Sequence, residues 1–312
     1  MSDQIKIGNS EVFTEKLGLG TNKVGGHNLF TGLEDNNGYK IIQTALDNGI
    51  RHLDTAYLYG LGHSEEIIGD VVQHYNRSQI VIATKAAHDP SHDSKINNHP
   101  DFLTKSIDEA LLRLKTEYLD VFYIHVPDGH TPKADAVGAL QRAREAGKIR
   151  AIGLSNFSLD QIEEANVDGY VDIVEDQYNL VFRNVERNMF SYLKENCITF
   201  VPYFPLASGL LTGKYQKNHP FSEDSWQFTD ENFKGERFNS IIDAVDKVKP
   251  LAEKYNASVA NLILSWYLNN PDIGVIIPGA SSAQQVIDNL QAKDITLSPQ
   301  DYKNIDVLFQ NF

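Results

Sequence analysis

The chain has 312 residues, of which 41% are hydrophobic, and it carries a formal net charge of −14. A chain of this length can bury a large core, and it fits one α/β barrel, a fold that takes about 200 to over 400 residues. The acidic balance, without a basic cluster, argues against nucleic acid and against an anionic membrane surface as partners, because both are bound through basic residues.

The single cysteine, Cys197, excludes an internal disulfide framework and a cysteine-based metal site. The first residues, MSDQIKIGNSEVF, lack the basic and apolar regions of a secretory signal. No apolar run approaches the roughly 18 residues of a membrane span. These features predict a cytoplasmic protein without a membrane partner.

The first part of the chain predicts a small hairpin followed by alternating strands and helices. Residues 5–13 are typical of a β-hairpin, and residues 16–20 (KLGLG) of a first barrel strand. Residues 39–46 form an amphipathic helix that Asn48-Gly49 ends. Residues 50–53 then predict a second strand, which runs into Asp54.

The same alternation continues toward the C-terminus. Further strands are predicted at residues 80–83, 119–124, 149–154, 173–174, 198–201 and 274–277. Helices are predicted between them, at 100–114, at 134–146 and after a capping box from Ser158 to Gln161. Eight strands that alternate with helices predict an α/β fold, a (β/α)8 TIM barrel forming a single domain over residues 1–312, with an N-terminal β-hairpin.

One long segment interrupts this pattern. Residues 210–239 are rich in Gly, Phe, Trp, Ser and charge and lie between strand seven and the next long helix. A loop of that length is usually functional, often a lid, or else disordered. Both interpretations are open for this segment.

Four polar residues lie just after consecutive predicted strands. They are Asp54 and Tyr59 after the second strand, Lys85 after the third and His125 after the fourth. The active site of a (β/α)8 barrel is built at the C-terminal ends of its strands, so we expect these four side chains to converge.

Their chemistry is consistent with one acid/base unit. An isolated tyrosine has a pKa of about 10 and is a poor acid at neutral pH, but a neighbouring ammonium such as Lys85 lowers that pKa. Asp54 would hold Lys85, and His125 could donate a hydrogen bond to a substrate oxygen. This group suits reduction of a carbonyl by hydride, which a cofactor must supply.

Taken singly, each of these residues also has a structural interpretation. Lys85 could be a solvated lysine and His125 a hydrogen-bonded structural histidine. Asp54 could cap a helix, and Tyr59 could serve packing alone. Their joint occurrence at strand ends is what favours a functional site.

Several segments resemble the aldo-keto reductases, NAD(P)H-dependent carbonyl reductases with a TIM barrel fold. The resemblance extends from Gly18 to Asn289, and its motifs are HLDTAYLYG, IATK, FYIHVPD, KIRAIGLSNF, DQYN, YFPLASGLLTGKY and VIIPGA. It implies that Tyr59 is the general acid/base, with Asp54, Lys85 and His125 as the other catalytic residues. It also implies a small aldehyde, ketone, sugar or alcohol as substrate.

The resemblance further implies a dinucleotide site, with NADP(H) as the expected cofactor and NAD(H) as the alternative. Ser155, Asn156 and Gln177 would hold the nicotinamide amide, and Tyr203 would stack on its ring. Residues 208–210 would contact the pyrophosphate, and residues 279–289 the adenosine end. The complete set of implied cofactor-binding residues is Gly20, Thr21, Asn22, Ser155, Asn156, Gln177, Tyr203, Pro205, Leu206, Ser208, Gly209, Leu210, Lys214, Gly279, Ser281, Gln285 and Asn289.

Two positions depart from the family pattern. The segment after Pro278 contains no basic residue to meet an NADP 2′-phosphate. A lysine of the long loop, Lys214 or Lys217, could replace it, or the protein could use NAD. Val126 stands where many members carry Trp, so we expect either a wider substrate pocket or one that other aromatic residues line.

Weaker motifs do not favour other sites. No Gly-x-Gly-x-x-Gly pattern follows the first strand, because Lys23 stands at the third glycine. Residues 209–214 resemble a Walker A fragment but are one residue short. His88, His92 and His99 lie among acidic residues, where a flexible rim loop is favoured over a metal site, so no metal is predicted.

Two other functions compete with that of a reductase. The same family includes channel subunits that bind the cofactor with little turnover, so a regulatory subunit is the alternative. An unrelated barrel hydrolase or isomerase is the other. A glycosidase would need two facing carboxylates, for which the candidates are Asp54, Glu175 and Asp176, and Glu175 and Asp176 should point to opposite sides of one strand. The sequence predicts neither the specific substrate, the direction of the reaction nor the oligomeric state.

Overall fold

A short antiparallel hairpin precedes the main sheet. In the computed structural model, which describes residues 4–312, β1 (Gln4–Lys6) pairs with β2 (Phe13–Glu15). Ile7 and Val12 of the connecting segment are buried in the same cluster as inward-facing strand residues such as Val121. The predicted N-terminal hairpin is therefore confirmed, and it covers one end of the strands.

Seven parallel strands form the main sheet. They are β3 (Leu19–Gly20), β4 (His52–Asp54), β5 (Val81–Ala86), β8 (Leu119–Ile124), β9 (Ile149–Ser155), β10 (Ile173–Gln177) and β11 (Thr199–Tyr203), while β6 (His88–Asp89) and β7 (Lys95–Ile96) form a separate small hairpin. The order in the sheet is β11-β10-β9-β8-β5-β4-β3. Sequential strands of this sheet are thus neighbours throughout.

The eighth predicted strand closes the sheet without forming a continuous ladder. Within residues 274–279, Ile276 forms a parallel β-bridge with Leu17, and Gly279 forms one with Gly20. On the other side, the Gly274 amide donates to the Phe200 carbonyl at 2.9 Å. The α/β barrel fold predicted from the sequence is confirmed.

Helices surround this barrel and bury one face each. They are α1 (Asp35–Asp47), α2 (His63–Val72), α3 (Pro100–Arg113), α4 (Lys133–Glu145), α5 (Leu159–Ala165), α6 (Asn184–Asn188), α7 (Phe190–Glu195), α8 (Gly235–Lys254), α9 (Val259–Leu268), α10 (Ala283–Leu290) and α11 (Pro299–Phe309). Helix α1 begins at Asp35, four residues before the predicted start at Tyr39. The prediction missed residues 35–38 because they carry no apolar periodicity. The capping box before α5 is present, with Ser158 and Gln161 bonding reciprocally. No helix of residues 4–312 is long and apolar enough to cross a membrane.

The long segment after β11 is held by an aromatic cluster. Tyr215 packs edge-on against Phe221, Phe233 and Phe238, with ring centroids 5.5, 6.0 and 6.2 Å away. Two short 3-10 turns lie within the segment, and its last residues belong to α8. The packing of Tyr215, Phe221 and Phe233 favours an ordered segment over a disordered loop for residues 210–239.

Candidate active site

Lys85 is the centre of the polar group inside the barrel. It is the fifth residue of β5, its exposure is 0%, and its ammonium contacts Asp54 Oδ1 at the end of β4. Its Nζ also donates to the Thr55 carbonyl at 3.0 Å and lies 3.3 Å from Glu175 Oε2. Burial lowers the pKa of this lysine, but Asp54 and Glu175 outweigh burial and raise the pKa above its ordinary value. Lys85 is therefore a fixed cation.

Tyr59 is held above this cation by a tight turn. The turn Tyr59–Gly62 has Gly60 at φ 68° and Leu61 at φ 53°, and the Gly60 amide donates to Asn28 Oδ1 at 2.7 Å. A Cβ at position 60 would collide with the Gly25 carbonyl oxygen, so the turn requires glycine there. The Lys85 Nζ lies 5.8 Å from the centre of the Tyr59 ring.

The prediction that Lys85 lowers the pKa of Tyr59 below its ordinary value is wrong. Burial raises the pKa of its phenol, and although Lys85 lowers it, Asp54 and Glu175 raise it again. The net pKa lies above the ordinary value of 10.0. Removal of the phenol from water outweighs the effect of the Lys85 ammonium, so Tyr59 is a protonated phenol at neutral pH.

His125 completes the group beside Tyr59. Its ring lies edge-on to the Tyr59 ring, at a centroid distance of 6.3 Å and an interplanar angle of 86°, and 5.9 Å from the ring of His88. Burial, followed by the charge of Lys85 and by His88, holds the pKa of His125 well below its ordinary value. Its buried Nδ1 has no hydrogen-bond partner among the described residues. His125 is thus a neutral imidazole.

The structure therefore brings together the four predicted catalytic residues. It adds Glu175, which sequence analysis considered only as a hydrolase candidate. Glu175 pairs in register with Ser155, is 3% exposed and faces Lys85, whereas Asp176 accepts a hydrogen bond from the Gln177 amide at 2.6 Å. The sequence signal for Glu175 was the prediction that it and Asp176 point to opposite sides of one strand. That prediction does not indicate which of the two side chains reaches Lys85.

Three of the predicted nicotinamide residues are linked to one another. Asn156 donates to the His125 carbonyl and to Ser155 Oγ, both at 3.0 Å, and it accepts from the Tyr203 hydroxyl at 2.7 Å. Asn156 adopts a left-handed backbone with φ 62°. Gln177 lies beside Tyr203 in the register of β10 and β11. These contacts place the predicted nicotinamide residues next to His125.

The segment after β11 has an unusual backbone. Phe204, Ala207 and Ser208 have φ values of 55°, 46° and 54°. Non-glycine residues in the left-handed region cost about 1–3 kcal/mol each and cluster at functional sites. Gly209 has φ 92°, and a Cβ there would lie 2.7 Å from Lys214 Nζ. Pro205 accepts a hydrogen bond from Tyr267 through its carbonyl, and Leu206 and Leu210 pack against or within the core.

The remaining predicted cofactor residues lie where the barrel closes. Gly20 and Gly279 form the closing bridge, with Asn22 nearby, and Thr21 Oγ1 donates to the Asp54 carbonyl at 2.8 Å. Ser281, Gln285 and Asn289 lie at or in α10: the Ser281 amide donates to Gln285 Oε1 at 2.8 Å, and Asn289 Nδ2 donates to the Gly279 carbonyl at 3.5 Å.

Two lysines approach this end of the site. Lys23 Nζ donates to Ser281 Oγ at 2.8 Å, and burial together with the charge of Lys214 lowers the pKa of Lys23. Neither Lys23 nor Lys214 forms an ion pair within residues 4–312, whereas Lys217 pairs with Asp243 at 2.5 Å. Lys23 was not predicted as a site residue, because its partner Ser281 lies 258 positions away in the chain.

A second cluster lies at the surface next to the Tyr59 turn. His27 Nε2 lies 2.7 Å from Asp35 Oδ1, and His63 Nε2 lies 2.9 Å from Asp35 Oδ2. We call His27, Asp35 and His63 the surface clasp. Its ligand atoms lie within 4.8 Å of one another, a spacing that could hold a metal ion; among the described residues, none of His88, His92 and His99 belongs to such a group.

Comparison with known proteins gives consistent matches over nearly the whole chain. A model described as the Aldo/keto reductase family matches residues 16–309. Aldo-keto reductase YhdN of Bacillus subtilis is 33% identical over 309 residues, which cover 98% of this chain and 93% of that protein. The NADH-specific methylglyoxal reductase of Escherichia coli is 30% identical, with 96% and 95% covered. Among solved structures, the glycerol dehydrogenase AKR11B4 from Gluconobacter oxydans has a TM-score of 0.89 at 30% identity, with 98% and 94% covered.

Proposed function

The chain belongs to the aldo/keto reductase family, oxidoreductases that act on small carbonyl substrates with NAD(P)H, and we propose that it transfers hydride between the nicotinamide and the carbonyl or alcohol carbon of a small aldehyde, ketone or sugar. In this proposal Tyr59 is the general acid/base. The observation that carries it is the contact of Lys85 with Asp54 beneath Tyr59, beside the neutral His125. The methylglyoxal reductase and glycerol dehydrogenase names of two similar proteins support a small polar substrate.

Each residue has a defined part in carbonyl reduction. The cofactor supplies the hydride, which leaves negative charge on the substrate oxygen. Tyr59, protonated at neutral pH, donates its proton to that oxygen, a contribution typically worth about 10²–10⁴ in rate. The ammonium of Lys85 stabilises the phenolate that remains, and His125 offers a neutral N–H to orient the carbonyl.

The high pKa of Tyr59 is compatible with this step. A phenol that holds its proton is always available as an acid, and the fixed charge of Lys85 favours its transient phenolate. In the reverse reaction, the same phenolate would take the proton of an alcohol. Asp54 keeps Lys85 in place in both directions.

The residues present also fit a dinucleotide cofactor. Segment 204–209, with its four left-handed residues, and the N-terminus of α10 offer backbone N–H groups to phosphates, and two lysines without carboxylate partners in the described chain offer positive charge. We propose NADP(H) as the cofactor, with Lys23 and Lys214 meeting the 2′-phosphate in place of the missing basic residue after Pro278. Lys217 has no such role, because Asp243 neutralises it.

A titration with NADPH and NADH, followed by turnover with a panel of small aldehydes and ketones, tests the proposal. We expect tighter binding of NADPH, and the double variant Lys23→Met/Lys214→Met should lose about tenfold or more of that affinity, since a hydrogen bond to a charged group is worth about 1.5–3 kcal/mol. Its NADH affinity should be unchanged. Lys217→Met is the matched control and should alter neither affinity.

The outcomes separate the alternatives. Equal binding of NADPH and NADH by the unmodified protein would contradict the assignment of the two lysines. Binding without turnover across the panel would instead support a cofactor-binding regulatory subunit. Absence of binding to either cofactor would contradict the oxidoreductase proposal itself.

A further inference from the structure

Glu175 is a second acid against Lys85. It extends inward from β10, is 3% exposed, and its Oε2 lies 3.3 Å from Lys85 Nζ. Asp54 contacts the same ammonium from β4. Within residues 4–312, neither Glu175 Oε2 nor Asp54 Oδ2 has a hydrogen-bond partner, although both atoms are buried.

The charges around Glu175 do not balance if both acids are ionised. The groups that face it are Lys85 from β5, Asp54 from β4, Tyr59 from the turn after β4, Tyr123 from β8 and Tyr203 from β11. Lys85 is the cation among these groups, and its one positive charge lies against two carboxyl groups. An uncompensated buried carboxylate is costly, so one of the two carboxyls retains a proton.

The geometry indicates which carboxyl is neutral. Asp54 makes the direct hydrogen bond with the ammonium, whereas the approach of Glu175 at 3.3 Å does not leave Oε2 hydrogen-bonded. Burial and then the charge of Asp54 raise the pKa of Glu175 well above its ordinary value. Asp54 is therefore the counterion of Lys85, and Glu175 is the carboxylic acid.

We propose that Glu175 is a positioning residue, held as a neutral carboxylic acid, whose ionisation at alkaline pH limits proton donation by Tyr59. The inference rests on the proposed function. When Glu175 loses its proton, the group of Lys85, Asp54 and Glu175 changes from neutral to a net charge of −1. That negative charge opposes formation of the Tyr59 phenolate and slows reduction of the carbonyl.

The protonation state can be measured without any turnover. The protein is labelled with ¹³C at the glutamate side-chain carboxyl and studied by NMR at about pH 7.5, far above the ordinary glutamate pKa of about 4.3. We expect one carboxyl resonance at the protonated position, absent from Glu175→Gln. Burial also raises the pKa of the other buried glutamate of the described chain, Glu65, but Arg113, whose Nε lies 2.6 Å away, opposes this shift, so we expect Glu65 to appear ionised. Glutamate resonances that are all at the ionised position, or a protonated resonance that survives Glu175→Gln, would overturn the inference.

The pH profile of reduction tests the role. Glu175→Gln mimics the neutral acid, so the alkaline decline of its kcat should shift upward by about one pH unit or more relative to the unmodified protein. Asp176→Asn is the matched control on the same strand: burial raises the pKa of Asp176 to about 6, so its alkaline limb should match that of the unmodified protein. An unchanged alkaline limb in Glu175→Gln overturns the inference.

Two further results distinguish failure of the Glu175 inference from failure of the proposed function. If Glu175→Gln does not fold, Glu175→Asp, which keeps a titratable acid, is the second variant, and it should retain an alkaline limb at a shifted pH; no shift would overturn the role. If no carbonyl is reduced at all, the proposed function fails, while the NMR experiment still decides the state of Glu175.

Discussion

The group around Lys85 and the surface clasp both contain carboxyl groups beside basic side chains, but the pKa values of these carboxyls shift in opposite directions. Burial raises the pKa of Glu175 and Asp54 inside the barrel, even though a lysine lies beside them. In the clasp, hydrogen bonds from His63 and His27 lower the pKa of Asp35, and hydrogen bonds to Glu66 and Asp35 raise the pKa of His63. Removal from water therefore decides the direction inside the barrel, and the hydrogen-bond partners decide it at the surface.

The two regions also meet at Tyr59. His63 directly follows the turn Tyr59–Gly62, and Asn28, next to His27, donates to the Leu58 carbonyl at 2.9 Å and accepts from the Gly60 amide. The clasp thus holds the outer side of the turn, while the Lys85 group lies on its inner side. We expect the clasp to control the position of Tyr59 and the Lys85 group to control proton transfer.

The largest effect should come from removing the buried cation. Lys85→Met leaves the buried carboxylate of Asp54 without its counterion, and we expect turnover to fall by about 10²–10⁴. Unfolding in urea should show a loss of about 3–5 kcal/mol, as for other broken buried ion pairs.

The matched control for that variant is Lys115→Met. Lys115 contacts Asp70 at the surface, so the loss of stability should stay below about 1 kcal/mol. Equal losses for the two variants would contradict the distinction between the buried group and surface ion pairs.

A smaller effect is expected from the clasp, with a defined pH dependence. The pKa of His63 is raised above 6.5 on folding, so its stabilisation is complete below about pH 6.5 and is lost as the pH rises through the folded pKa. The pKa of Asp35 is lowered below 3.8, so its contribution is present above that pH and is lost as the pH falls through the folded pKa.

The clasp should therefore stabilise most between these limits. The difference in unfolding free energy between the unmodified protein and His63→Gln should be larger at about pH 5.5 than at about pH 8.5, by less than about 1 kcal/mol, because the clasp is half exposed. The control is His74→Gln, an exposed histidine without a carboxylate contact in residues 4–312. A difference that grows as the pH rises would contradict the raised pKa of His63.

Much of the barrel and of the candidate site could be predicted from the sequence, because the site residues lie at the C-terminal ends of strands. The apolar run of β8 has the predicted bounds, Leu119–Ile124, and Asp54, Lys85 and His125 lie at or just after the ends of neighbouring strands, as expected. Lys23 was missed because its contact with Ser281 depends on closure of the barrel. The predicted direction of the Tyr59 pKa shift was wrong because the sequence did not indicate how far the phenol is removed from water, which raises its pKa more than Lys85 lowers it. Charge balance in a buried group depends on distances that strand alternation does not provide.

The most direct test of the proposed mechanism is the Tyr59→Phe variant, studied by stopped-flow oxidation of bound NADPH on mixing with a substrate that the panel identifies. Removing one hydroxyl leaves the ring, Lys85 and the cofactor site in place. We predict unchanged NADPH affinity and a loss of about 10²–10⁴ or more in the rate of cofactor oxidation. A rate equal to that of the unmodified protein would contradict the assignment of Tyr59 as the proton donor.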